Sequence, residues 1–338
     1  MILVTGGTGL IGSHLLYELA LQNDRIRAIK RPASDIRNVL KIFGYYSESP
    51  EVLFQKIEWM DADLADCMSL SEAFENIDRV YHCAGLISFN RRIKKELFET
   101  NITGTSNIVN LCLERNVKKI CFVSSIASFG EFDGINPIDE KTRWKPDKVS
   151  SLYSLSKMKA EMEVWRGIAE GLGGIIINPS VVLGPGFWSN GVGATYKLIS
   201  KGMRFYTMGS TGCVDVRDVS RIMVRLMDSN ISGEQFLVSS ENMTFKEVLG
   251  LISASLHSKN PDIYASRFLT GLGWRINALA SFITGKEPVI TRDNMRLAHI
   301  NYLYSGQKVK DVLDYNYIPV KDSIQFLTEK YLKEVKTS

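Results

Sequence analysis

The sequence lacks several features that would point to whole classes of protein. Its five cysteines include no CxxC pair and no companion histidine cluster, so the spacings typical of zinc sites and redox dithiols are missing. The net charge of +4 is small for 338 residues. The densest basic spot, residues 91–95, is short and typical of a solvated helix face. We therefore expect no metal site and no nucleic-acid partner.

Long hydrophobic runs are also missing. No uninterrupted apolar stretch approaches the roughly 20 residues that a membrane span needs, and the first apolar run enters a glycine turn at Gly6, too early for a signal peptide. The cysteines lie in apolar contexts, as around Cys121, which is typical of reduced core thiols. We therefore expect a soluble, cytoplasmic protein. The apolar segment 268–284 is interpreted as core or as the wall of a substrate pocket, with a membrane-surface contact as the alternative.

What the chain does contain is an alternation of short apolar runs with helical patterns. The apolar runs predict buried strands at residues 1–5, 25–29, 79–84, 119–124 and 174–178. Helical spacing predicts helices over residues 10–21 and 153–169. This alternation predicts an α/β fold, a Rossmann-type doubly wound parallel sheet with right-handed crossovers. We expect one domain over residues 1–178 and a smaller α+β lobe over 179–338, some of whose segments return to the sheet.

A glycine cluster follows the first strand and opens the first helix. Residues 5–12 read TGGTGLIG; Gly7, Gly9 and Gly12 fit GxGxxG, while Gly6, Gly9 and Gly12 fit GxxGxxG. Glycine allows the sharp turn, the close approach of backbone to a pyrophosphate and the packing of helix on sheet. The helix N-terminus then offers free N–H groups to the phosphates. The domain over 1–178 is thus predicted to bind NAD(P), with contacts from Gly6, Gly9, Leu10, Ile11 and Gly12.

The end of the second strand bears on which cofactor is bound. NAD-binding versions of this fold place a carboxylate there for the ribose hydroxyls, whereas this strand ends in Lys30 and Arg31. Two cations suit a 2′-phosphate, and an arginine can bind it with two parallel hydrogen bonds. NADP(H) is therefore favoured, NAD(H) is the alternative, and plain surface charge is the other interpretation of the pair. Asp63 and Leu64, after the third strand, are candidate contacts to adenine.

A tyrosine and a lysine lie four residues apart, at Tyr153 and Lys157. On a helix these side chains share one face. Hydride transfer to a carbonyl leaves an alkoxide that needs a proton, and a nearby ammonium lowers the pKa of a phenol toward that task. Ser125 ends an apolar strand where a parallel sheet opens to its ligand crevice, and it can orient the substrate oxygen. We predict Ser125, Tyr153 and Lys157 as the catalytic residues.

Together these motifs resemble the extended short-chain dehydrogenase/reductase family. The matching segments are TGGTGLIG at 5–12, DADL at 61–64, HCAG at 82–85, TNITGT at 100–105, VSSIASFG at 123–130, YSLSK at 153–157 and NPSVVLGPG at 178–186. The resemblance implies the catalytic roles above and a homodimer. It also implies that Asn101 lies in the helix behind the site, with plain helix packing as the alternative. Further cofactor contacts implied by it are Cys83, Ala84, Gly85, Asn101, Tyr153, Lys157, Pro179, Ser180, Val181 and Val182.

At several motif positions this sequence differs from particular members of the family, and these differences argue against the reactions of those members. Sugar-nucleotide dehydratases carry Asp-Glu after the strand-end serine, where this chain has Ile126-Ala127. Epimerases use an arginine ahead of the RDxxxVxD-like segment to hold a diphosphate, where this chain has Gly212-Cys213. The segment 26–34 instead resembles the dihydroflavonol-reductase and 3β-hydroxysteroid-dehydrogenase branch. We expect an NADP(H)-dependent oxidoreductase that interconverts a ketone and a secondary alcohol on a bulky, apolar small molecule. The alternatives are an NAD-dependent nucleotide-sugar epimerase and a non-catalytic nucleotide sensor.

Overall fold

The computed structural model of the protein describes residues 1–129, 134–142, 151–271, 273–275 and 292–337. Residues 272 and 276–284 of the apolar segment predicted above lie outside this part of the chain. Its strands are β1 Ile2–Thr5, β2 Ile26–Lys30, β3 Ile57–Asp61, β4 Arg79–His82, β5 Lys119–Val123, β6 Gly173–Pro179, β7 Val181–Leu183, β8 Phe205–Tyr206, β9 Ser210–Asp215, β10 Glu234–Val238, β11 Glu241–Thr244 and β12 Ile263–Tyr264.

Seven of these strands form one parallel sheet in the order β10-β6-β5-β4-β1-β2-β3. Consecutive strands leave β1 on one side as β2 and β3, and on the other side as β4, β5 and β6. The order therefore reverses between β1 and β4, and ligands of such sheets bind at that point, outside the carboxyl ends of the strands. The predicted Rossmann-type sheet is confirmed.

Helices cover both faces of the sheet. They are α1 Leu10–Gln22, α2 Arg37–Phe43, α3 Pro50–Phe54, α4 Cys67–Ala73, α5 Lys94–Phe98, α6 Gly104–Glu114, α7 Leu152–Ala169, α8 Gly191–Ser200, α9 Val216–Asp228, α10 Phe245–Ser255, α11 Arg292–Leu297, α12 Gln307–Leu313 and α13 Val320–Thr337. Helices α1 and α9 pack together, so that Leu16 and Met223 share one core cluster with the sheet. Helices α6 and α7 bury Val109 and Val164 in a second cluster on the other face.

The smaller lobe surrounds a second sheet of β11, β9 and β7. Its core contains Trp188 and Tyr196, which pack against the C-terminal helix α13 at Tyr331. Strand β10 does not belong to this lobe, because it pairs with β6 at the edge of the main sheet. Part of the second half of the chain thus returns to the sheet.

The cysteines lie in different surroundings. Cys112, Cys121 and Cys213 are buried, Cys83 is half-buried and Cys67 is exposed, and all are free thiols. The interpretation as core thiols was wrong for Cys67, because this residue opens α4 at the surface, where Leu70 and Ala73 make the buried contacts. Over the described residues, no helix is long and apolar enough to cross a bilayer.

Candidate active site

The glycine cluster forms a tight turn between β1 and α1. Gly6 has φ +67°, and a Cβ placed on it would lie 2.5 Å from the amide nitrogen of Ala84. A Cβ on Gly12 would lie 2.1 Å from the carbonyl oxygen of Gly6. Both positions therefore require glycine, since any side chain would push the first turn of α1 away from β1 and β4.

Gly9 caps helix α1 without any side chain that bonds the helix N-terminus. The first N–H groups of α1, which follows β1 where the strand order reverses toward β4, therefore have no side-chain cap from Gly9, as a diphosphate would require. Gly85 is exposed on the opposite wall of the crevice. A Cβ placed on it would lie 3.7 Å from Lys157 Nζ, so glycine leaves room beside the lysine. The shape and the donors of this cradle fit a dinucleotide.

A buried chain of hydrogen bonds fixes the loop after β4 to the cradle. The Ala84 N–H donates to Thr5 Oγ1 at 3.1 Å, and Thr5 Oγ1 lies 2.7 Å from His82 Nδ1. His82 Nε2 lies 3.0 Å from Thr105 Oγ1, which itself donates to the carbonyl of Asn101 at 2.6 Å. One arrangement of the hydrogens satisfies every group in this chain of hydrogen bonds. In it, His82 carries its proton on Nε2 and accepts from the Thr5 hydroxyl at Nδ1. The histidine is thus held neutral.

Acid should weaken the fold through this histidine. Burial, with a smaller effect of the charge on Lys157, lowers the pKa of His82 from 6.5 to about 3. Between these two values protons bind to the unfolded chain but not to the folded one, so stability is complete above about pH 6.5 and falls as pH falls. At pH 5 the loss from this residue is about 2 kcal/mol.

Urea unfolding at pH 7.5 and pH 5.0 measures the effect. The variant His82→Gln should lose about 2 kcal/mol less than the wild type between the two pH values. His257→Asn, which changes an exposed histidine, is the control and should behave as the wild type. An equal pH dependence in His82→Gln and wild type would show that His82 is protonated in the folded protein.

Ser125, Tyr153 and Lys157 meet at the carboxyl end of β5. Ser125 starts a short 3-10 turn and accepts from the Ala127 amide at 3.1 Å. Tyr153 and Lys157 occupy the first turns of α7, and both are buried, at 8% and 5% exposed. Lys157 Nζ donates to the carbonyl of Val123 at 2.7 Å, on the strand that ends just before Ser125. The structure therefore brings the three predicted residues together.

Burial sets the proton affinities of the pair. It raises the pKa of Tyr153 to about 12, although the Ser125 hydroxyl, which donates to the phenol, opposes the rise. Burial lowers the pKa of Lys157 to about 8, against the opposing charge of Glu161. The phenol therefore holds its proton in the free protein and can donate it to a substrate oxygen that gains negative charge.

Asn101 lies behind this group in a π-helical turn, Glu99–Thr103, and is 2% exposed. Its amide group donates to the Leu86 carbonyl and to Ser156 Oγ, both at 2.9 Å, and accepts from the Leu86 amide at 2.7 Å. Since its side chain is fully bonded to protein groups, it positions the loop that carries Gly85. A direct contact between Asn101 and the cofactor stays a prediction.

The end of β2 differs from the sequence interpretation in one respect. The register between β2 and β3 places Asp61 beside Lys30, and the two form an ion pair of 2.5 Å. A carboxylate is thus present at this edge, but the lysine holds it. Arg31 is exposed and has no carboxylate partner among the described residues. Asp63 is exposed at the end of β3, and Leu64 is buried against Gly104.

Comparison with known proteins adds to this geometry. Residues 2–239 match the NAD dependent epimerase/dehydratase family. The chain belongs to this family. It is 29% identical over 252 residues to sterol demethylase protein B of Methylococcus capsulatus, covering 73% of this chain and 72% of that protein. It is 23% identical over 329 residues to a putative dihydroflavonol 4-reductase of Synechocystis, covering 95% and 91%. The crystal structure of gox2253 superimposes with a TM-score of 0.79 at 26% identity, covering 99% and 98%.

Membership of the epimerase/dehydratase family makes this chain an NAD(P)-dependent enzyme of the short-chain dehydrogenase/reductase type.

The segment from Pro179 to Val182 joins the main sheet to the smaller lobe. Pro179 ends β6, Ser180 donates its amide to the Val238 carbonyl at 3.0 Å, and Val181 and Val182 begin β7, half-buried. The segment lies past the carboxyl end of the sheet, where family resemblance predicts the nicotinamide contact.

The aromatic residues of the second lobe divide into core and surface. Trp188 and Tyr196 are core, while Phe205 and Phe268 are 54% and 81% exposed. Phe282 lies outside the described residues. The first domain instead supplies an aromatic ring beside the phenol, since Phe89 packs on Tyr153 with ring centroids 5.8 Å apart. Phe89 therefore supplies an apolar wall beside the phenol.

Sequence reasoning missed a buried acidic residue of α7, Glu161. Its carboxylate lies below the Ser125 turn, bonded to Ser128 and Asn178 at 2.6 Å each. A signal was present in the sequence: Glu161 lies four residues after Lys157, on the face of α7 that buries Ala160 and Val164. A carboxylate at a sheet-facing position needs partners, and this could have marked it as part of the site.

Proposed function

We propose that this enzyme of the epimerase/dehydratase family is an NADP(H)-dependent oxidoreductase that interconverts a ketone and a secondary alcohol on an apolar small molecule. The observation that carries the proposal is the meeting of the half-buried Ser125 with the buried Tyr153 and Lys157, opposite an open glycine cradle. A nicotinamide cofactor, when bound, donates or accepts the hydride.

The protein's own groups manage the substrate oxygen and its proton. Ser125 and Tyr153 share one hydrogen bond, so a carbonyl oxygen that enters between them would accept from both hydroxyls. As negative charge develops on that oxygen, the phenol transfers its proton to it. The resulting phenolate is stabilised by the charge on Lys157, one helical turn further along α7. In the reverse direction the phenolate accepts the proton of the alcohol.

The choice of NADP(H) follows from Arg31. Lys30 is held by Asp61, so Arg31 is the cation at this strand end that can bind a 2′-phosphate with two hydrogen bonds. Arg31 is exposed, and its carbonyl accepts from the Ser34 amide at 2.9 Å in the turn that follows β2. Its guanidinium can therefore turn toward the adenosine end of the cradle. Lys30 adds positive charge but is tied to the sheet edge.

Arg31→Ala should therefore weaken NADPH binding about 10- to 100-fold and leave NADH binding within about twofold of wild type. Fluorescence titrations of the nucleotide-free protein with each cofactor measure this. The matched control is Arg25→Ala, since Arg25 is an exposed arginine just before the other end of β2, paired with Glu58. Tighter binding of NADH than of NADPH by the wild type would contradict the proposal directly.

The proposed substrate class rests on the smaller lobe, which does not place the expected arginine where epimerases hold a diphosphate. Family resemblance predicts an arginine in epimerases where this chain has the pair Gly212-Cys213, and Cys213 is 1% exposed in β9. The next arginine, Arg217, is bound to both oxygens of Asp215 at 2.9 and 2.7 Å. The names of the sterol demethylase and dihydroflavonol reductase relatives agree with an apolar substrate. Turnover of NADPH with a panel of sterol, flavanone and aryl ketones tests it.

The second candidate is an NAD-dependent nucleotide-sugar epimerase. Asp61 favours it, since a carboxylate at this sheet edge could bind ribose hydroxyls if Lys30 released it. A nucleotide sugar that copurifies with the protein, together with tightly retained NAD, would promote this function above the reductase. A nucleotide sensor is disfavoured because the Tyr153 and Lys157 pair is intact.

The homodimer stays a prediction, which the molar mass in solution tests.

A further inference from the structure

A network of buried polar side chains lies directly behind the catalytic group. Its centre is Glu161, which is 7% exposed. Glu161 Oε1 accepts from Ser128 Oγ and from Asn178 Nδ2, each at 2.6 Å, and Oε2 accepts from Gln235 Nε2 at 3.3 Å. These partners come from the turn after β5, from β6 and from β10, so one carboxylate ties three segments of the sheet to α7.

The partners of Glu161 fix its charge state. Gln235 Nε2 also donates to Asn178 Oδ1 at 2.9 Å, which turns the Asn178 amide nitrogen toward the carboxylate. Both amides thus present N–H groups, and the Ser128 hydroxyl adds a third donor. Burial raises the pKa of Glu161, but the hydrogen bonds from Ser128 and Asn178 and the charge on Lys157 oppose the rise. A group surrounded by donors is most stable as the negative carboxylate.

The same network holds Ser125. The Ser125 carbonyl accepts from Asn178 Nδ2 at 3.1 Å, and Ser128 Oγ lies 2.7 Å from the same carbonyl. The Ser128 hydroxyl has one proton, which the Glu161 carboxylate accepts, whereas Asn178 Nδ2 carries two and can serve Glu161 and Ser125 together. The position of Ser125 opposite Tyr153 therefore depends on Glu161 through the Asn178 amide.

Glu161 is also the negative charge closest in sequence to Lys157 on the face of α7 that both residues share. The other titratable groups near Lys157 are Tyr153 on α7 and Cys83 and His82 at the end of β4. Burial keeps the tyrosine and the cysteine protonated and the histidine neutral. Lys157 donates a hydrogen bond to the Val123 carbonyl and lies over the Phe122 ring, 4.5 Å from its centroid, and neither group carries a full charge. A buried ammonium in these surroundings needs a counter-charge to remain protonated.

We propose that Glu161 is a positioning residue of the reaction, whose carboxylate fixes the Ser125 turn and supplies the counter-charge that keeps Lys157 protonated at neutral pH. This inference rests on the proposed function, in which Lys157 acts as an ammonium beside the phenol, and adds that the same ammonium donates to a ribose hydroxyl of the bound cofactor. A purely structural role would need only hydrogen bonding, and a neutral side chain of equal size could serve it.

The test is the pH dependence of NADPH affinity between pH 6.5 and 9.5, measured by nucleotide fluorescence. In wild type the affinity falls as Lys157 loses its proton, and in Lys157→Met this transition is absent. Glu161→Gln keeps the size of the side chain and removes the charge, so the transition should move to lower pH by about one unit or more. Glu161→Asp retains the charge and should restore the wild-type midpoint. The matched control is Glu163→Gln on the same helix, whose carboxylate pairs with Arg166 and Ser106 outside the network.

The outcomes separate the inference from the proposed function. A wild type that binds neither nucleotide overturns the proposed function, whereas a transition that persists in Lys157→Met overturns only the role of Lys157. A Glu161→Gln midpoint equal to that of Glu163→Gln, in a folded protein, reduces Glu161 to a structural residue. Should Glu161→Gln fail to fold, Ser128→Ala removes one 2.6 Å donor to the carboxylate. Its midpoint should stay at the wild-type value because the charge remains, while turnover falls as the Ser125 turn loosens; a moved midpoint or wild-type turnover overturns the proposal.

Discussion

Tyr153→Phe should lower turnover about 10²- to 10⁴-fold while NADPH affinity stays close to that of the wild type. The change removes one oxygen and leaves the ring, which packs on Phe89 and is 8% exposed, so the site keeps its shape. What is lost is the proton that the phenol gives to the substrate oxygen. Ser125 still donates a hydrogen bond, but an aliphatic hydroxyl is a much weaker acid than a phenol and does not replace its proton transfer.

The experiment pairs steady-state rates, on whichever ketone the panel identifies, with a nucleotide titration of the same preparation. Tyr17→Phe is the matched control, because Tyr17 lies on α1 and its hydroxyl donates only a 3.4 Å bond to the Tyr46 carbonyl. It should keep wild-type rates. Retained turnover in Tyr153→Phe would refute the proposed proton transfer, whereas loss of NADPH affinity in this variant would mean that the phenol oxygen itself holds the cofactor.

The main sheet and its cofactor cradle could be predicted because their signals are local. The apolar run of β1, the glycines that end it and the helical spacing of α1 lie within 22 residues. Tyr153 and Lys157 were likewise found from their four-residue spacing on one helix. In each case neighbours in sequence are neighbours in space, so no knowledge of the distant chain was needed.

What escaped prediction depends on distant pairing. Asp61 reaches Lys30 only through the register between β2 and β3. The smaller sheet joins Val181 to Cys213, and β7 has three residues, too few to show any period. Gln235 enters the network of Glu161 because β10 returns to β6. A single sequence does not contain these registers as local patterns, although the acidic residue at a buried helix position was visible.

Gly12→Ala tests the cradle itself and should abolish detectable NADPH binding, with a loss of affinity of about 100-fold or more. The added methyl carbon would lie 2.1 Å from the Gly6 carbonyl oxygen and 2.9 Å from Gly7 Cα. Both neighbours are backbone, so no side chain can rotate away. The turn must open, and the N–H groups of α1 then move from the place where the diphosphate would accept their hydrogen bonds.

Gly250→Ala is the control for the loss of a glycine. Gly250 lies in α10 with no atom within 4 Å of its added Cβ, so alanine should raise helix stability by up to about 1 kcal/mol and leave NADPH binding unchanged. Circular dichroism of Gly12→Ala should retain the helix content of the wild type, since the clash is confined to one turn. Wild-type affinity in a folded Gly12→Ala would place the diphosphate elsewhere. The N-terminus of α1 would then be an ordinary helix end, and the cofactor assignment built on it would fail with it.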